Sequence, residues 1–378
     1  MKVYFDNAAS TIVREEAIKV MADFMRADFG NPSSMHKAGR LALAELDSAR
    51  ESIANTLVTK AETIYFTSGG TEANNWAILG VIKGLARFGK HIITSKTEHS
   101  AVLAPIEKLT SDGWDVTYLE PDINGQISVD VFAKALRNDT VFASIMLVNN
   151  EMGAINPIGE YAQEIKHQGL KTILHTDAVA AFCKIPLTTR LLGADLISIS
   201  SHKIHGPKGV GAIYVSDRVK LSPLFLGGKH EKGKRGGTEA LPAIVGFSTA
   251  ARLGNTELSE TSNNIRSLRD ITITKLKEAL PEIIIIGEDS FTSPHILCIS
   301  LPGYKSEVLM NYLDGKDIYV SKGAACKKGA RSKTLEAMKL SNDVIDGALR
   351  ISFSRYSTIE EIEYFVNTLK KATQNIQK

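Results

Sequence analysis

From about residue 60 to residue 215, short apolar runs alternate with helix-length segments. The runs Thr63–Phe66, His91–Thr94, Asp115–Leu119, Val141–Val148, Lys171–His175, Leu196–Ser200 and Val210–Val215 have the length of strands. Segments such as Glu72–Arg87 and Ile158–Gln168 lie between them and have the length of helices. This alternation predicts an α/β unit with a mostly parallel sheet and helices on both faces. Loops at the carboxyl ends of such strands are where a site is expected.

The pattern changes after about residue 255. A long amphipathic segment, Leu258–Leu280, precedes strand-like Ile283–Ile286 and His295–Leu301. A polar, glycine-rich loop (Ser321–Lys333) and a terminal helix (Ile359–Gln374) follow, so a second, smaller α+β domain is expected. The 378 residues suffice for roughly two domains and a large core.

Composition narrows the class. Apolar residues make up 43% and charged residues 23%, ordinary for a globular chain, and the net charge of +3 gives no case for nucleic acid. No apolar run has the length of a membrane span, and Met1–Asp6 lacks the apolar stretch of a signal peptide. Three cysteines (Cys183, Cys298, Cys326) without a C-x-x-C pair suggest neither a disulfide framework nor zinc; free thiols in a reducing cytoplasm are expected.

Candidate chemistry gathers at predicted strand ends. Lys203, in Ser200-Ser201-His202-Lys203-Ile204-His205-Gly206-Pro207-Lys208-Gly209, follows one buried-strand pattern, and Asp177 follows another. A desolvated amine can act as a nucleophile, and a lysine with an aspartate is what pyridoxal phosphate requires. Taken alone, Lys203 reads equally as a surface lysine. Thr67-Ser68-Gly69-Gly70-Thr71-Glu72 opens a helix with paired glycines: a phosphate cradle, or simply an N-capping turn. His99 could stack on an aromatic cofactor and shuttle protons, or be a loop residue; Asn150 could donate to a cofactor oxygen, or be a polar turn residue. Cys326 lies among glycines and small residues, where Lys322, Lys327, Lys328 and Arg331 would favour its thiolate. Cys183 and Cys298 sit in apolar surroundings and are expected to be inert.

The ordered set of motifs resembles the cysteine desulfurases of the NifS/IscS type, within the class-V aminotransferase group of fold-type-I pyridoxal phosphate enzymes. It runs through Phe5–Thr11, Gly30–Ser34 with His36, Gly39 and Arg40, Thr67–Asn75, Thr97–His99, Val148–Gly153, His175–Ala178, Ser200–Gly209, Arg235–Glu239, Cys326, Arg350 and Thr358–Ile362. The resemblance implies a large domain over 11–255 around a mostly parallel seven-stranded sheet. It implies a small domain from 1–10 and 256–378 that carries the cysteine loop. By the same resemblance, Lys203 holds pyridoxal 5'-phosphate as a Schiff base, Asp177 pairs with the ring nitrogen and His99 stacks on the ring. Gly70, Thr71, Ser200 and His202 bind the phosphate, and Thr238 reaches the phosphate of the other subunit of a homodimer. Asn150 and Arg350 bind the carboxylate of L-cysteine; Cys326 takes the sulfur as a persulfide, leaves alanine, and passes the sulfur to an acceptor protein for iron–sulfur assembly or tRNA or cofactor thiolation.

Two positions depart from the family pattern. Ala180 stands where a glutamine usually donates to the cofactor's phenolic oxygen, and Lys322, Ala324, Lys327 and Lys328 replace hydroxyl residues around Cys326. The basic cluster predicts a lowered thiol pKa and an acceptor with an acidic docking face; the bland alternative is that the lysines only solvate the loop. Two rival readings remain at this level: another pyridoxal phosphate reaction, such as selenocysteine lyase or transamination, and a non-catalytic sulfur-relay or scaffold subunit.

Overall fold

The computed structural model describes residues 1–27, 30–288, 291–322 and 331–376. The chain enters through a two-residue strand, β1 (Val3–Tyr4), and reaches the predicted alternation at β2 (Ile64–Thr67). There follow β3 (His91–Ser95), β4 (Asp115–Leu119), β5 (Thr140–Ser144), β6 (Ile173–Asp177), β7 (Leu196–Ser200) and β8 (Gly211–Val215). They form one seven-stranded sheet in the order β2-β8-β7-β6-β5-β3-β4. Only the pairings of β8, with β2 and with β7, are antiparallel. Two antiparallel pairings in succession restore direction, so β2 ends at the same edge as β3, β5, β6 and β7.

Neighbouring residues of each strand point to opposite faces, and both faces are covered. Ile92, Phe142, Ile173, Leu196 and Ile213 pack with Trp76, Ile78 and Val102 from the helices Gly70–Leu85 and Ser100–Ser111. Ile93, Ala143, Leu174, Ile197 and Ala212 pack with Leu46, Ile53, Tyr161 and Phe247 from the helices Lys37–Leu57, Ile158–His167 and Leu241–Thr256. Burial on both sides explains why the strands read as continuous apolar runs rather than alternating ones.

The C-terminal third builds β9 (Ile284–Ile286), β10 (Ile296–Ser300), β11 (Ile318–Tyr319) and β12 (Ala348–Ser352). An antiparallel sheet, β12-β10-β9, lies under the helices Leu258–Ala279 and Ile359–Asn375; Leu297, Ile299, Leu349 and Ile351 meet Ile265, Leu276, Phe365 and Leu369. The last helix opens with a capping box between Thr358 and Glu361. β1 pairs in parallel with β11, and Phe5 sits edge-on to Phe353 and Phe365 with ring centres 5.5 and 5.8 Å away. The N-terminus is thereby stitched to the C-terminal layer.

The observed elements correct several expected bounds. The run Val141–Val148 is a strand only as far as Ser144; beyond it, Ile145 and Leu147 still donate to His175 and Asp177 carbonyls at 3.2 and 3.0 Å, while Met146 turns its N–H to the Glu98 carboxyl. The strand expected over 171–175 runs over Ile173–Asp177, which makes Asp177 its final residue. The strands β1, β11 and β12 and the helices over 15–27, 37–57 and 241–256 were not evident from the apolar pattern.

Candidate active site

The site gathers at the carboxyl edge of the large sheet. Asp177 ends β6, is 5% exposed, and is held at both oxygens: Asn74 Nδ2 donates to Oδ2 at 2.6 Å and the Val179 N–H donates to Oδ1 at 2.9 Å. Burial pushes its carboxyl above the ordinary aspartate range; the Val179 N–H, the His99 field, Asn74 and the Lys203 ammonium pull it back. One polar side chain thus fixes the aspartate's orientation, and a nearby cation favours its charge.

Lys203 closes the short turn Ser201–Lys203 after β7. Its Nζ donates to the carbonyls of Ala8, at close range, and Ala9, at 3.1 Å. Burial, reinforced by the Arg350 charge, pulls its pKa down to about 8, against the opposing fields of Asp6 and Asp177. An amine so placed sheds its proton far more readily than a surface lysine.

Gly69 and Gly70 turn the chain from β2 into the helix Gly70–Leu85. Gly69 has φ 152°, a conformation few side chains tolerate, and a Cβ on Gly70 would meet Val179 Cγ2 at 2.6 Å. The first N–H groups of this helix have no preceding turn to bond and so face outward as anion donors. Ser200 lies beside Gly70, 3.6 Å from that virtual Cβ, and its buried Oγ has no partner among the described residues; the same holds for Thr176 Oγ1 on β6. A glycine cradle, a helix start and orphaned buried hydroxyls fit a phosphate. Thr71 is exposed at the helix start, and Glu72 is tied down by Arg235 at 2.5 Å and by the Ser68 N–H at 2.8 Å. His202 is half-buried, with Nδ1 3.4 Å from Ser10 Oγ, and burial together with Lys203 depresses its pKa to about 4, so it is neutral.

His99 caps the helix Ser100–Ser111: its Nδ1 accepts from the Ala101 N–H at 3.1 Å, and among the described residues Nε2 has no hydrogen-bond partner while the ring is exposed. Arg350, on β12, is 2% exposed; Nη1 donates to the Asn150 carbonyl and Nη2 to Asp6 Oδ1, each at 2.8 Å, while Nε is buried without a partner among the described residues. Asn150 therefore meets Arg350 through its backbone. Glu151, half-buried beside it, accepts from Ser332 Oγ, and desolvation raises its carboxyl pKa.

Some expected site residues are not brought together. Thr238 is exposed just beyond Arg235. Cys326, Lys327 and Lys328 lie outside the described residues. On either side of that segment, Lys322 pairs with Glu307 at 2.5 Å and Arg331 pairs with Asp346 at 2.7 Å. Ala180 packs half-buried against the large core and offers no donor. Burial pushes the thiols of Cys183 and Cys298 up, Cys298 to about 12, consistent with inert roles.

Asn74 and Asp6 were not singled out by residue type, although both lie inside motifs noted above. Glu98 was also missed as a chemical group. Its Oε1 accepts from Ser95 Oγ and the Met146 N–H at 2.8 Å each, and burial raises its pKa to about 8.

The comparisons with known proteins agree with this architecture. A model of the aminotransferase class-V family matches residues 3–365. The chain is 39% identical to the cysteine desulfurase IscS of Dictyoglomus turgidum over all of this chain and 95% of that one. It is 40% identical to the putative cysteine desulfurase IscS 1 of Bacillus subtilis over 96% of each. Among solved structures, a NifS-like protein superposes with a TM-score of 0.94 at 35% identity, covering all of both chains. A structure titled SspA in complex with cysteine superposes with a TM-score of 0.81 at 33% identity, covering 95% of this chain and all of the other. The chain belongs to the class-V aminotransferase family, in its branch of IscS/NifS-type cysteine desulfurases. Among the described residues, no helix is long and apolar enough to cross a membrane.

Proposed function

We propose that this chain removes sulfur from L-cysteine with pyridoxal phosphate held on Lys203, and that Cys326 receives the sulfur. The observation that carries the reading is the meeting of Lys203, Asp177 and the Gly70–Ser200 cradle at one sheet edge. Lys203 would hold the cofactor through its amine, Asp177 would keep the ring nitrogen protonated, and His99 would cover the ring face. Gly70, Thr71, Ser200 and His202 would hold the phosphate. Bound pyridoxal phosphate supplies an electron sink for the substrate's Cα.

The chain's own groups do the rest. Arg350, with Asn150, would receive the substrate carboxylate; Nε, without a partner among the described residues, is the donor left for it. The Lys203 amine, once free, takes the Cα proton and later returns a proton to carbon. Cys326 Sγ bonds the substrate sulfur as that sulfur's bond to carbon breaks. The product is a persulfide on Cys326, and the carbon skeleton leaves as alanine. Delivery to an acceptor protein for iron–sulfur assembly or thiolation follows. In a homodimer the exposed Thr238 would complete the phosphate site of the other subunit, and a large domain over 11–255 with a small domain from 1–10 and 256–378 would frame the site.

Incubation of the purified, yellow holoenzyme with L-cysteine tests this directly. The expected result is stoichiometric alanine and a mass gain of one sulfur on the peptide containing Cys326. Cys326→Ala should abolish both while leaving the cofactor absorbance intact. Turnover of selenocysteine or transamination that survives in that variant, with no desulfuration of cysteine by the parent, would favour a selenocysteine lyase or another chemistry on the same fold, and a colourless protein would favour the scaffold reading.

A further inference from the structure

The segment 229–238 passes the free edge of β2, beside the phosphate cradle. β2 ends its sheet, so one row of its backbone groups has no strand partner. Glu231 and Arg50 take that place. The Phe66 N–H donates to Glu231 Oε2 at 2.8 Å, and Arg50 Nη1 donates to the Ile64 carbonyl at 2.9 Å. The two side chains join in a two-pronged pair at 2.7 and 2.8 Å, both buried. Glu231 and Lys232 hold φ of 44° and 58°, left-handed values that few side chains adopt. The buried pair therefore fixes an otherwise unfavourable path of the chain, and four residues after Glu231 that path brings Arg235 to the cradle.

Arg235 meets Glu72, the third residue of the helix Gly70–Leu85. Its Nε donates to Oε1 at 2.5 Å and its Nη2 to Oε2 at 3.1 Å, while the Ser68 N–H donates to the same Oε2 at 2.8 Å. The Glu72 side chain is 7% exposed. Burial pushes its carboxyl up, but Arg235 and Ser68 bring it below its ordinary value, so it is ionised. An ionised carboxylate in the first turn of a helix competes with a bound phosphate for the helix's positive end, and it repels that phosphate. Left alone beside Ser68, Gly69 and Gly70, Glu72 would oppose the ligand that the cradle is shaped to take. The two-pronged pairing with Arg235 cancels its charge and holds it against the Ser68 N–H.

Resting on the reading of Gly70, Thr71, Ser200 and His202 as the cofactor's phosphate site, we propose that Arg235 is a positioning residue for that phosphate. It acts through Glu72, whose negative charge it neutralises, and it does not touch the cofactor. Such a role concerns the phosphate alone. Loss of Arg235 should weaken a ligand that carries the phosphate and spare the same ring without it. Removal of the Glu72 charge should then undo the loss, whereas a brace that only supported the turn would not be replaced by altering its own partner.

Titration of the full-length apoenzyme with pyridoxal 5'-phosphate and with pyridoxal, followed by absorbance, tests this. In Arg235→Met the affinity for pyridoxal phosphate should fall at least about tenfold, the scale of one uncompensated charge in a partly desolvated site, with pyridoxal affinity unchanged. Arg235→Lys should keep most of the parent affinity, and Glu72→Gln in the Arg235→Met background should restore it. An equal loss for both ligands, no loss in Arg235→Met, or no restoration by Glu72→Gln would overturn the role of Arg235 and leave the cofactor reading standing. A parent that takes up neither ligand would overturn both.

Discussion

Arg350 Nη2 donates to Asp6 Oδ1 at 2.8 Å, joining the buried guanidinium of β12 to the segment that follows β1. The two residues are far apart in sequence, yet Asp6 bridges to Ser352 on the same strand, and the Ser352 N–H donates to the Phe5 carbonyl at 2.7 Å. The N-terminal residues thus orient the group expected to bind the substrate carboxylate. Among the described residues, Asp6→Ala leaves this buried charge with the Asn150 carbonyl alone. It should cost about 1–3 kcal/mol of stability and raise KM for cysteine more than it lowers kcat. Thermal melting and steady-state kinetics check this; an unchanged KM would show that Asp6 does not position Arg350.

The Lys203 amine titrates near 8 rather than at the ordinary lysine value of 10.5. Burial disfavours its protonated form, so the reactive neutral fraction rises as pH increases through 8 and then levels. Capture of pyridoxal phosphate by the apoenzyme, followed by absorbance, should rise with the same midpoint. Lys203→Ala should eliminate covalent capture and lower turnover by at least about 10²-fold. A capture rate still climbing steadily between pH 9 and 10.5 would contradict this.

Asn74 supplies one of the two donors that oppose the rise in the Asp177 pKa caused by burial. Asn74→Ala removes a hydrogen bond to a charged acceptor, worth about 1.5–3 kcal/mol. Cofactor affinity should therefore fall by roughly tenfold to a hundredfold. Asp177→Asn should fall further, because the ring nitrogen then loses its charge partner. Fluorescence titration of the apoenzymes with pyridoxal phosphate ranks the three proteins, and equal affinity in Asn74→Ala and the parent would refute the role.

Glu98 is protonated in the folded chain up to pH about 8, whereas its ordinary pKa is 4.5. The folded state therefore binds the extra proton between these values, and this group's contribution to stability falls as pH rises from 4.5 to 8. Glu98→Gln preserves acceptance from Ser95 and Met146 and carries no ionisable proton. Its melting temperature relative to the parent should climb across that window and level above it. A pH-independent difference would show that Glu98 is not the titrating group.

Several features of this molecule were legible in the chain because they are local. Runs buried on both faces announce the strands, and Gly69-Gly70 announces a turn that side chains would block. The order of the motifs announces the family. The strand ending at Ser144 was not legible, because Met146 leaves the ladder for a carboxyl 48 residues earlier. Neither were β1, β11 and β12: β1 and β11 are only two residues long and pair from opposite ends of the chain, and β12 pairs with β10 across the intervening helices.

The sequence by itself determined the α/β architecture, the family and which residues were candidates, since each rests on short-range pattern or motif order. The charge state of those candidates was decided only by the tertiary structure, because desolvation and Coulomb fields depend on neighbours in space. It lowers the Lys203 pKa to about 8 and neutralises His202. It gives Lys322 and Arg331 carboxylate partners of their own. It also brings Lys184, an ordinary lysine in the sequence, to 6% exposure with no ion pair to a described residue.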